Sequence, residues 1–92
     1  MTEEIRRAND LLHDLEVQER YTDKIEAEWE QEPENEQLEK AFDEAYREQF
    51  KTFEMLAEAI CDITHGQIDG KTARAMINGK REELRNLLKK IG

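Results

Sequence analysis

Cysteine, proline and glycine are scarce in this 92-residue chain, which has one Cys, one Pro and four Gly. With Cys61 alone, no intramolecular disulfide can form. With its single proline at position 33, the chain is otherwise free of the residue that most strongly ends helices. Aromatic residues are 7% of the chain, and no apolar run approaches the ~18 residues that cross a bilayer. No glycine-rich phosphate loop, GxSxG elbow or zinc spacing is present. The opening residues Met1-Thr2-Glu3-Glu4 carry neither the basic nor the apolar part of a secretory signal. These absences lead to the expectation of a cytoplasmic protein that is not an enzyme, with no cofactor, no metal and no membrane contact.

Charge is abundant instead. Charged residues make up 40% of the chain, against roughly 25% in ordinary globular proteins. The formal net charge is −9, and it is laid out unevenly. Residues 1–65 hold 20 acidic and 7 basic side chains, whereas residues 66–92 hold 3 acidic and 7 basic. Such a chain repels bare nucleic acid and anionic membranes over most of its length.

The apolar residues recur at helical spacing, which a disordered chain of the same charge would lack. Ile5, Ala8, Leu11, Leu12 and Leu15, drifting through Tyr21, Ile25 and Trp29, predict a first helix over about 3–31, with Thr2 as its cap. Pro33 makes the first joint, and either Glu32 or Asn35 is placed to cap the next helix. Leu38, Phe42, Ala45, Tyr46, Phe53, Leu56, Ile60 and Ile63 give the second helix, about 35–65, one broad apolar face that ends near Gly66. Asp69 is a plausible cap for a third helix, about 70–90, with Ile68 and Ala73 at hydrophobic-staple spacing. That helix is expected to bury Ala73, Met76, Ile77, Leu84, Leu87, Leu88 and Ile91. Its stripe stays in phase across Asn78-Gly79, which favours one continuous helix despite the glycine.

Short joints predict antiparallel neighbours. The expected architecture is therefore all-α: a long antiparallel helical hairpin with a shorter third helix beside helix 1, a three-helix bundle in one domain. Folding back at Pro33 brings Gln18 near Gln49 as a polar layer. The third helix is too short to reach the hairpin tip, so the tip is expected to be two helices without a third.

Most candidate chemistry fails on spacing. Asp10/His13 and Asp62/His65 are i,i+3 pairs of metal-binding type, but they fall at different levels of the hairpin and lack inward carboxylates from a second helix. Glu16/Glu19 and Glu36/Glu39 resemble halves of magnesium motifs, yet such pairs arise by chance in so acidic a chain. Cys61, beside the Ile60/Ile63 face, reads as a small hydrophobe.

Two surfaces remain. The tip joins apolar Ile25, Trp29 and Leu38 to a carboxylate array of Glu26, Glu30, Glu34, Glu36, Glu39, Asp43 and Glu44. The third helix carries a basic stripe of Lys71, Arg74, Arg81, Arg85 and Lys89, which either pairs with the acidic helices of the same chain or meets phosphate. The leading expectation is a small acidic protein-interaction module that self-associates as a homodimer or binds a protein with a basic surface through the tip. The alternative is an acidic nucleic-acid mimic that inhibits a nucleic-acid enzyme, of the anti-CRISPR or anti-restriction kind. Weak nucleic-acid binding through the third helix comes last.

Overall fold

In a computed structural model, which describes residues 3–91, the chain is all-α with four helices, and α1 (Glu3–Gln31) and α2 (Glu36–Ile63) form a long antiparallel pair. No helix is long and apolar enough to cross a membrane. The proposed Thr2 cap lies outside the described residues. The reversal at Pro33 is tight: Glu32 N donates to Trp29 O at 3.0 Å and Asn35 N to Glu32 O at 3.0 Å. Asn35 rather than Glu32 caps α2, its Oδ1 accepting from the N–H groups of Gln37 and Leu38 at 3.0 and 3.3 Å.

α2 ends two residues earlier than the spacing suggests. Thr64 occupies the C-cap position, and both His65 (φ 53°) and Gly66 (φ 81°) take the left-handed conformation. Gly66 N closes the turn on Cys61 O at 2.9 Å, as a C-terminal glycine does without steric cost. Thr64 Oγ1 donates to Ile60 O and accepts from Ile68 N, fixing the exit from the helix. Asp69 then caps the next helix through Thr72 N at 2.8 Å. Ile68 packs against the cluster that contains Ala73.

The expected single third helix is two helices, α3 (Gly70–Gly79) and α4 (Arg81–Ile91), broken at Lys80 (φ −134°, ψ 46°). Gly79 weakens the helix locally, and Glu82 and Glu83 suit a fresh N-terminus while Lys89 and Lys90 suit the C-terminus. Burial is the decisive gain. α3 climbs along α2, and α4 turns back down along α1. Ala73, Ile77, Leu84 and Leu88, all 0% exposed, therefore meet in one cluster with Ala8, Leu11, Leu12, Leu15, Leu56, Ala57 and Ile60. A straight helix would have carried its second half up toward the acidic tip. The correction extends to placement: α3 lies on α2, only α4 reaches α1, and Ile91 is left exposed.

The core thus occupies one half of a molecule 47 Å long. Above it the inward positions turn polar. Thr22 and Thr52 are buried with their hydroxyls donating to the carbonyls of Gln18 and Glu48. Gln18 and Gln49 bury their amide oxygens as the expected polar layer requires, but neither oxygen accepts a hydrogen bond among the described residues. Unpaired buried oxygens are costly.

Two stability measurements follow from this division. Leu84→Ala empties the centre of the cluster and should lower the free energy of unfolding in urea by about 2–5 kcal/mol. The double replacement Gln18→Leu/Gln49→Leu removes two orphaned acceptors and should raise it by about 1–3 kcal/mol. A drop for the second variant would mean that these amides are satisfied in solution.

Candidate functional site

Where α3 and α4 stop decides which surface is left open. Arg81, the first residue of α4, donates from Nε and Nη2 to Ile77 O at 3.1 and 2.9 Å and so closes the carbonyl end of α3. The same guanidinium pairs with Glu19 of α1, with Nη2 3.1 Å from Oε2. One turn further along α4, Arg85 pairs with Glu16. On the other side Arg74 grips Glu54 of α2 through two hydrogen bonds, at 3.0 and 2.9 Å. The basic stripe is thereby divided. Arg74, Arg81 and Arg85 are engaged within the molecule, while Lys71 and Lys89 are exposed without an ion pair among the described residues.

These pairings shift the carboxylates. The hydrogen bond from Arg85 holds Glu16 below its ordinary value of 4.5, and Arg74 does the same to Glu54. The N-cap hydrogen bond from Thr72 holds Asp69 below 3.8.

Above the level of Glu19 and Gln49 the hairpin groove has no third layer. Eleven residues make three helical turns, so a residue eleven earlier on α2 stands above its counterpart on the same side. Phe42 stands above Phe53, Tyr46 above Ala57, and Phe50 above Cys61. The lower members of these pairs lie under or beside α3. The upper members stand at or past the end of α3, and Tyr46 and Phe50 are 55% and 54% exposed. The rings form a row. Trp29 lies 5.4 Å from Phe42, Phe42 lies 6.1 Å from Tyr46, and Phe50 lies 6.2 Å from Phe53. Trp29 Nε1 also donates to Pro33 O, tying the row to the turn. At the lower end of the row a depression of about 170 Å³ is bounded by Leu15, Glu19, Tyr46, Gln49, Phe50, Phe53 and Asn78.

The acidic residues expected at the tip surround this row. Glu26, Glu30, Glu34, Glu36, Glu39, Asp43 and Glu44 are all exposed, and none is in an ion pair among the described residues. The apolar trio is placed differently from the expectation. Ile25 is 5% exposed and packs between the two helices, so it offers no contact area. Trp29 and Leu38 are half-buried. Tyr21, Tyr46 and Phe50 supply the exposed aromatic area instead. The i,i+4 spacing of Phe42, Tyr46 and Phe50 is a readable signal for a row, but its exposure depends on where α3 ends.

The remaining candidates fall apart spatially. Asp10 and His13 are exposed on α1, and His65 lies past the end of α2, so Asp62 and His65 do not share a helix face. Cys61 is a half-buried free thiol. Among the described residues no group of three His, Cys, Asp or Glu side chains is placed to hold a metal ion. Compared with models of protein families, with curated proteins and with solved structures, the chain matches none.

The Arg85–Glu16 pair gives a pH signature. A carboxylate whose folded pKa is depressed stabilises the fold above its unfolded pKa, and the contribution is lost as pH falls through the folded value. Glu16→Gln should therefore lower the melting temperature at neutral pH. The gap to the wild type should close as pH falls below about 4.5. A gap that persists unchanged into acid would show that the loss is one of packing.

Proposed function

We propose that this chain is a small non-catalytic protein-interaction module that docks a partner on the open, aromatic half of its helical hairpin. The observation that carries this reading is the row Phe42, Tyr46 and Phe50, continued from a packed face into solvent where α3 ends. Aromatic rings exposed together at a rigid surface are typical of binding hot spots. The carboxylates around them add long-range attraction for a basic partner and raise the rate of encounter. A homodimer would use the same face, with two acidic rims brought together.

A second reading draws on the seven exposed carboxylates of the tip alone. A rigid array of them would occupy a phosphate-binding groove as a nucleic-acid mimic and inhibit the enzyme that owns the groove. Binding of that kind depends on charge and is indifferent to the rings. The basic stripe supports nucleic-acid binding less well, because Arg74, Arg81 and Arg85 are already paired.

Tyr46→Ser/Phe50→Ser separates the two readings, and both positions are exposed enough to spare the fold. Wild type and variant are used in parallel as bait in a lysate of the encoding organism, and both are examined by sedimentation equilibrium. Docking through the rings predicts a captured protein, or a dimer, that the double variant loses. Capture that survives this variant but fails on charge reversal at Glu30, Glu34 and Glu36 would replace the interaction module with the mimic. A strict monomer that captures nothing would remove both.

A further inference from the structure

In the lower half of the molecule the same hairpin groove is filled by the chain itself. Along its lower half the hairpin is covered by amphipathic helices whose apolar side chains, Ile77 and Leu84 among them, are fully buried. Their arginines reach outward to carboxylates on both hairpin helices: Arg74 to Glu54 on α2, Arg81 to Glu19 on α1. The uncovered half repeats this arrangement of receptors. Eleven residues before Glu54 on α2 stands Asp43, and eleven after Glu19 on α1 stands Glu30. Both are exposed and free of ion pairs among the described residues. Between them the floor is aromatic where the lower floor is aliphatic. Lys40 and Arg47 lie further round α2, past Asp43.

Resting on the docking reading above, we infer that the occupant is an amphipathic α-helix of another protein with arginines or lysines on both flanks of its apolar stripe. It continues the layer begun by α3. The open stretch from Arg20 to Gln31 is about 18 Å long at ~1.5 Å per residue, room for three turns of helix. Charge argues against a second copy. Two copies docked face to face would oppose Glu30 and Asp43 of one protomer to the same carboxylates of the other, and like charges at an interface select against that partner. The chain's own helices offer no spare segment either, because Ala73 and Ile77 of α3 and Leu84 and Leu88 of α4 are buried already.

Trp29, the only tryptophan, stacks on Phe42 at the upper end of the row and reports occupancy by its fluorescence. The probe is a synthetic, end-blocked peptide of about 14 residues, enough for nearly four turns. It has a leucine stripe, arginines on both flanks and no aromatic residue. A second peptide carries glutamate at every arginine position. The full-length chain should bind the arginine peptide saturably and one to one, more weakly as salt rises, and should ignore the glutamate peptide. Phe50→Ser should weaken binding by about tenfold or more. Glu30→Gln/Asp43→Asn should flatten the salt dependence. Equal binding of both peptides, or a titration untouched by Phe50→Ser, overturns the inference. Sedimentation equilibrium on the same samples keeps it distinct from the docking reading. A dimer abolished by Phe50→Ser with no peptide bound leaves the docking face and removes the cationic helix as its occupant. A monomer that binds no peptide removes both.

Discussion

One guanidinium holds three helices at a single point. Arg81 closes the carbonyl end of α3 through Ile77 O, opens α4, and pairs with Glu19 halfway up α1. The apolar contacts of Ile77, Leu84 and Leu88 supply most of the energy, at roughly 1.5–3 kcal/mol for each fully buried side chain. The charged contact supplies geometry. It fixes the height at which the short helices stop climbing and turn back, and therefore how much of the hairpin they leave bare.

That height coincides with a change in what the hairpin presents inward. Below it lie Leu11, Leu12, Leu15, Leu56 and Ile60, a conventional aliphatic core. At and above it lie Gln18, Thr22, Gln49 and Thr52, and then the aromatic cluster around Trp29. A chain this small has limited apolar surface to bury. It concentrates that surface in one half and holds the other half as a two-helix extension, closed at its end by the Asn35 cap and the Trp29–Pro33 contact.

The two ends of the charge distribution acquire separate meanings from this arrangement. Three of the seven basic residues in the positive C-terminal segment, Arg74, Arg81 and Arg85, pair with carboxylates on both hairpin helices. The negative tip has no such counterpart. Exposed ion pairs contribute little to stability individually, so the pairing of charges matters here chiefly for how the short helices are oriented on the hairpin.

Much of this protein was legible in its sequence. The 3.6-residue spacing of Ile5, Ala8, Leu12 and Leu15, the reversal at Pro33 and the cap Asp69 are local features, and local geometry determines them, while the spacing leaves open the choice of Asn35 over Glu32 as the second cap. The division of charge was legible too, whereas which members of the basic stripe pair within the molecule was not. The break at Lys80 was not. Gly79 permits it, but the apolar stripe runs through it in phase, and a straight helix satisfies the local rules equally well. Packing against both hairpin helices at once favours the turn, because it places Leu84 and Leu88 in the same cluster as Ile77, and the Arg81 contacts set where along the hairpin it falls. The exposure of Phe50 follows from the same event, whereas Ile25 is buried by the hairpin pairing alone. Sequence periodicity determines which face of a helix is apolar, whereas whether that face meets protein or water depends on the length and direction of a neighbour it does not encode locally.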